Sequence, residues 1–269
     1  MHTLPGVLVY IVLSPAKKLD WSPGPNNLEP TIPNFLPQIE ELSKATRKLS
    51  RQKLQAMMGI SEQLADLNHE RFQNFSLPFE PGNSKPAIFA FNGDTYIGFD
   101  VSKLTAEDLD WAQSRLGILS GFYGLLRPLD LMQPYRLEMG TKMATRRGKN
   151  LYAFWGSLIR DRIQSCVADH KEQSLVNLAS NEYFKAVQNP ALDLEVITPV
   201  FRDVKDGKSR TLFLFAKRAR GAMARWAIQH RIERAEDLKE FDEGGYRFQA
   251  ESSTPDRWVF ERPQPPPVR

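Results

Sequence analysis

A single cysteine, Cys166, stands in this 269-residue sequence, so no intrachain disulfide can form and nothing marks an oxidising compartment. The four histidines, His2, His69, His170 and His230, are each isolated, and no HxxxH, HExxH or CxxC spacing occurs. A dedicated transition-metal site is therefore not expected, and no cofactor is implied. Long apolar runs are missing too. The N-terminal "VLVYIVL" is of strand length, lacks a basic leader and is too short to span a bilayer, so the expectation is a cytoplasmic protein without an anchor. The G-x-S-x-G elbow, the G-x-x-x-x-G-K-[ST] loop and the G-x-G-x-x-G fingerprint are all absent, which removes common nucleophile and nucleotide signatures. "SGFYGLLRP" holds Gly121 and Gly124, but their spacing better suits a tight turn beside aromatic residues.

What is present is a chain with 41% hydrophobic and 10% aromatic residues and a formal net charge of +4. That composition supports a sizeable core and excludes a disordered chain. "GVLVYIVL" reads as a buried strand, and "KPAIFAFNGD" and "SLVNLAS" read as two more. From Leu36 to Phe75 the pattern is helical, broken near Ser50 and at Gly59. "TAEDLDWAQSRLG" is a helix opened by a Thr105–Asp108 capping box and closed on Gly117. "LYAFWGSLIRDRIQSCVAD" reads as one amphipathic helix, and "LEVITPVFRDVKDGKSRTLFLF" as a hairpin turning at Asp206-Gly207. The basic "AKRARGAMARWAIQHRIERA" reads as a further helix, before short strands at "GYRFQA" and "RWVFER" and a frayed "PQPPPVR" tail. With no repeat and no linker, the fold class expected is mixed α/β (α+β). It is a single domain over residues 1–269, with a central mixed sheet flanked by helices.

In sheets covered by helices, loops leaving the strand ends commonly build the ligand crevice. Three such loops carry polar groups: Ser14, Lys17, Lys18 and Asp20 in "SPAKKLD", Asn92, Asp94 and Tyr96 in "FNGDTY", and Asn177, Ser180, Glu182 and Lys185 in "NLASNEYFK". Lys17 suits a phosphate, and Asp94 or Glu182 suits a general acid or base. The plainer reading is that Asn92 and Asp94 make a turn and that Ser180 caps the helix "NEYFKAV". No catalytic residue follows from this constellation, with Asp94 and Glu182 the weak candidates.

Two basic clusters carry no acidic residue. "AKRARGAMARW" holds Lys217, Arg218, Arg220 and Arg225, and "TKMATRRGK" holds Lys142, Arg146, Arg147 and Lys149. In a chain of modest net charge they imply an uneven field suited to nucleic acid. The stretch "LQAMMGISEQLADLNHERF" adds a candidate helix-hairpin-helix over about residues 50–75. Such a hairpin turns backbone N–H groups toward a DNA phosphate. Gly59 and Ile60 fit it, whereas Ser61 stands where a second glycine is usual and Glu62 places negative charge where an anion would sit.

The blocks "SPAKKLD", "FNGDTY", "LSGFYGLLRPLDLMQPYRLEMG", "NLASNEYFK" and "AKRARGAMAR" together resemble the YaaA family of bacterial peroxide-stress proteins, in the family's order and over nearly the whole chain. The resemblance implies a cytoplasmic protein of the hydrogen-peroxide response that limits DNA damage and lowers free intracellular iron. It also implies a single-domain fold with a helix-hairpin-helix and a positive cleft for double-stranded DNA. It carries over no catalytic residues. Charge alone assigns Lys17, Lys18, Lys142, Arg146, Arg147, Lys217, Arg218, Arg220 and Arg225 to that cleft, joined at the hairpin by Gly59, Ile60 and Ser61. The expected partner is duplex DNA, met through its phosphates with little sequence preference by a protein expected to be a monomer. The alternative is an enzyme processing a nucleobase or nucleotide, with Asp94 or Glu182 as acid/base and Lys17 on a phosphate. An iron-handling protein is a third reading, opposed by the lack of a ligand cluster.

Overall fold

The parallel centre of the sheet is built from runs buried on both faces, which is why they read as continuous apolar segments rather than alternating ones. A computed structural model describes residues 9–25, 28–168, 173–188 and 192–265. His2, His170, the first residues of "GVLVYIVL" and the end of the tail lie outside them. Strand β1 (Tyr10–Leu13) is buried throughout, and β2 (Leu116–Ser120) pairs parallel to it on one side. The "SGFYG" turn that the glycine spacing suits leads into an antiparallel β3 (Gly124–Leu126), which the sequence pattern does not give. On the other side of β1 lies β4 (Ser174–Leu178), again parallel, and then β5 (Glu195–Lys205).

Strand β5 alternates buried and partly exposed residues along most of its length, the period-two signature of a sheet with one wet face. It turns at Asp206-Gly207, both at positive φ, into β6 (Lys208–Arg210). β7 (Arg247–Phe248) and β8 (Arg257–Pro263) complete the eight-stranded sheet in the order β7-β8-β5-β4-β1-β2-β3, with β6 on the flank of β5. Parallel and antiparallel pairs coexist in it, and helices flank it, so the chain is one mixed α/β domain.

Helices α1 (Leu36–Thr46), α2 (Arg51–Met58) and α3 (Glu62–Asn74) follow the expected breaks. Ser50 and Ser61 each cap a helix through the side chain, and Gly59 sits at φ 61°, a left-handed position open to glycine. Helix α4 (Asp94–Phe99) starts straight after Gly93, and α5 (Ala106–Gln113) opens with the full Thr105–Asp108 capping box.

Four readings need correction. Residues 85–94 are not a strand: Lys85–Pro86 pairs briefly, Ala87–Ala90 makes one helical turn and Phe91–Asn92 pairs with Lys18–Leu19. A short buried apolar run has no period to separate the two states. Helix α5 ends at Gln113, and Gly117 belongs to β2. The single helix expected from Leu151 breaks at Gly156, φ 52°, into α6 (Leu151–Trp155) and α7 (Leu158–Val167). The basic helix, α9 (Phe213–Gln229), begins earlier and ends sooner than its charge pattern suggests, so "FLF" belongs to it and not to the hairpin. No helix among the described residues is long and apolar enough to cross a membrane.

Candidate functional site

After β1 the chain departs toward β2, whereas after β4 it passes through α8 (Asn181–Phe184) to β5 on the opposite side. Two neighbouring parallel strands whose connections diverge leave a crevice at their carboxyl ends. That crevice is here a cleft of about 460 Å³, lined by the residues just beyond β1 and β4 together with the starts of α4 and α9. Ser14 and Ser180 close its base: the Ser180 amide donates to Ser14 Oγ at 2.8 Å, and the two hydroxyls lie 3.3 Å apart. Ser180 occupies the N-cap position of α8 but makes no side-chain capping bond, so the capping role expected of it is not the one it has. Tyr96 Oη donates to the Ser14 carbonyl at 3.0 Å and ties α4 to the same loop.

Helix α9 crosses α4 where neither has a side chain. A Cβ on Gly98 would lie 1.9 Å from the Arg218 carbonyl oxygen, and one on Gly221 would lie 1.8 Å from that of Thr95. The backbones therefore meet, and this contact holds Lys217 and Arg220 in the same cleft as Asp94.

The cleft brings together nine of the residues chosen from the sequence: Ser14, Lys17, Lys18, Asn92, Asp94, Ser180, Glu182, Lys217 and Arg220. Its acids are each held by the protein. Asp94 faces Arg218 at 3.6 Å, and Glu182 accepts the Gly140 amide at 2.9 Å. Glu138, which sequence reasoning overlooked, is shared by Lys17 at 2.9 Å and Arg136 at 3.2 Å. Lys17, expected to suit a phosphate, is thus engaged by a carboxylate of the protein. Lys18, Lys217 and Arg220 have no ion pair among the described residues. Burial pushes the half-buried Arg220 guanidinium below its ordinary value, which measures how poorly water solvates its charge. Tyr183 also lines the cleft, and burial first, then neighbouring Tyr135 and Glu182, drive its phenol far up, so it stays protonated.

Other candidates lie elsewhere. Arg225 is buried, donates to the Gly98 carbonyl at 2.7 Å and the Phe99 carbonyl at 3.1 Å, and pairs with Glu243. At about 100° per residue it points roughly 140° away from Arg220 around the helix, so its place in the basic cluster is corrected to a clamp on the end of α4. Lys142, Arg146 and Arg147 are exposed but line no part of the cleft, and Arg147 is bound to Glu41 at 2.8 Å. Gly59, Ile60 and Ser61 form the α2–α3 corner, where the Gly59 and Ile60 amides both donate to the Gln55 carbonyl. Asn177 and Lys185 also lie off the cleft, Asn177 holding the Ala179 amide and Lys185 standing over the Tyr152 ring. Among the described residues no group of three or more His, Cys, Asp or Glu side chains is placed to hold a metal ion.

Comparison with known proteins places this arrangement in context. A family model described as "Peroxide stress protein YaaA" matches residues 9–252. A UPF0246 protein of Maricaulis maris is 52% identical over 255 residues, covering 95% of this chain and 96% of the relative. A UPF0246 protein of Paraburkholderia phytofirmans is 50% identical over 254 residues, with 94% and 98% covered. One of Caulobacter vibrioides is 51% identical over 255 residues, with 95% and 99% covered.

Proposed function

From the premise that the chain belongs to the peroxide stress protein YaaA family, we propose that it binds double-stranded DNA through the phosphate backbone at the cleft beyond β1 and β4. The observation that carries this reading is the imbalance inside the cleft. Asp94 and Glu138 are ion-paired within the protein and Glu182 is hydrogen-bonded to the Gly140 amide, while three cations, Lys18, Lys217 and Arg220, have no ion pair among the described residues and leave the cleft with an excess of positive charge. A half-buried arginine without a partner carries a desolvation cost that an incoming phosphate offsets. Backbone contacts carry no base information, so binding is indifferent to sequence. Occupying the backbone would also limit iron-dependent damage, because hydroxyl radicals form where iron meets DNA.

The test is a titration of duplex DNA at several salt concentrations. Three phosphate contacts correspond to a slope of log affinity against log salt of about −2.7, and Lys217→Ala/Arg220→Ala flattens it by about two units. If the double variant binds with the parent's affinity and slope, the cleft is not the DNA site.

A second reading has its own observation. Asp94 and Glu182 line the same cleft, and its volume of about 460 Å³ falls within the range of small-molecule sites. An enzyme processing a nucleobase or nucleotide would then use Asp94 or Glu182 as acid/base, with Lys217 and Arg220 rather than Lys17 on the phosphate. Turnover on a panel of nucleotides and damaged bases, lost in Asp94→Asn or Glu182→Gln with duplex affinity unchanged, would establish it.

A further inference from the structure

At the other end of the parallel strands lies a larger cavity of about 660 Å³. Tyr10 opens β1 there, and Arg115, just before β2, accepts the Ile11 amide at 2.8 Å through its carbonyl. Four arginines from four segments line this cavity: Arg115, Arg127, Arg162 and Arg231. Two are neutralised within the fold, Arg127 by Asp130 at 2.8 Å and Arg231 by Asp108 at 2.7 Å. Arg115 and Arg162 have no ion pair among the described residues.

Their bonding is incomplete in the same way. Arg115 uses Nη1 on the Trp111 carbonyl at 3.2 Å and on Ser114 Oγ at 2.9 Å, and Arg162 uses Nη1 on Ser165 Oγ at 3.2 Å. The Nε of each is buried without a partner, and the Nη2 of each makes no hydrogen bond among the described residues. Arg115 also stands 4.4 Å over the Trp111 ring, which Arg231 shares at 5.6 Å. Burial first, and Arg231 as a like charge, push the Arg115 guanidinium down, while Glu233 acts in the opposite sense. Two half-buried guanidiniums with open donors and no ion pair carry a desolvation cost that their packing contacts alone do not offset.

We propose that this cavity is a second anion site, separate from the cleft, which takes a small phosphorylated sugar or nucleotide with its phosphate on Arg115 and Arg162. The choice of a small ligand over nucleic acid rests on the rim. Glu107 and Asp110, both exposed on α5, line the same cavity. Carboxylates there repel a polyanionic strand, yet they accept hydrogen bonds from the hydroxyls of a sugar. The volume also lies within the range of small-molecule sites.

The experiment is isothermal titration of the full chain with ribose 5-phosphate, and with inorganic phosphate as the probe lacking hydroxyls. The expected result is saturable binding of ribose 5-phosphate, tighter than phosphate and weakened by about tenfold or more in Arg162→Gln and in Arg115→Gln, as loss of a charge-assisted hydrogen bond implies. Lys217→Ala is expected to leave that binding untouched. Should Arg115→Gln fail to fold because its stacking on Trp111 is lost, Arg162→Gln carries the test alone. The proposal is overturned by the absence of saturable binding at millimolar ribose 5-phosphate, by binding that survives Arg162→Gln, or by binding lost in Lys217→Ala instead. It is also overturned if Arg162→Gln weakens duplex DNA as much as the cleft variant does, which would make this end a nucleic-acid surface.

Discussion

Replacing Arg225 by Met keeps most of the side chain's length and apolar contact but removes its donors. The Gly98 and Phe99 carbonyls and the Glu243 carboxylate then lose a partner. Removing one member of a buried pair costs about 3–5 kcal/mol. The Glu243 side chain, at 32% exposure, recovers part of its hydration, which brings the figure to about 2–4 kcal/mol. At about 2–4 °C per kcal/mol for a chain of this size, Tm should fall by about 4–16 °C. Duplex affinity of the folded variant, measured well below that transition, should stay within about twofold of the parent, with the same salt slope. Lys217→Ala should do the opposite, since an exposed lysine contributes little to stability. A cycle with Glu243→Gln should show a clear coupling to Arg225. If Arg225→Met leaves Tm unchanged and flattens the salt slope by about one unit, Arg225 meets phosphate and the clamp assignment is wrong.

Gly221→Ala should destabilise by about 1–3 kcal/mol or more by over-packing the crossing of α4 and α9. Because that crossing holds Lys217 and Arg220 in the cleft, duplex affinity should fall as well, and a variant of parental stability and affinity would show that the helices give way freely. Burial by itself would raise the Asp108 carboxyl, but its bonds to Thr105 and Arg231 outweigh this and hold it below the ordinary 3.8. A folded value below the unfolded one contributes stability above the unfolded value and loses it as pH falls through the folded one. Asp108→Asn should therefore flatten the loss of urea stability below about pH 4, and an unchanged acid profile would count against it. Ser61→Gly should leave duplex affinity unchanged, because the Gly59 and Ile60 amides are already engaged on the Gln55 carbonyl. Tighter binding would show that the α2–α3 corner meets phosphate after all.

Features that depend on a few adjacent residues are legible in the amino-acid sequence. The capping box at Thr105 and Asp108, the left-handed corner at Gly59 and the hairpin at Asp206-Gly207 follow from backbone sterics and local hydrogen bonds. The buried runs of β1 and β4 are equally plain, and the polar loops beyond them point to the cleft. Residues 85–94 mislead because a short buried segment has no solvent face to impose a period. Glu138 gives no signal, since a lone carboxylate in a Pro- and Gly-punctuated loop looks like any solvated acid.

Local sequence determined the caps and turns and that basic side chains gather on α9. Only the tertiary structure decided which of those charges share a site. The parallel order around β1 brings Ser14 against Ser180, 166 residues away, and the contact of Gly98 and Gly221 with the opposing backbones accompanies Lys217 and Arg220 in the cleft and Arg225 buried at the end of α4. Hydrophobic burial and close backbone approach act across long sequence separations, and charge pattern along the chain does not encode them.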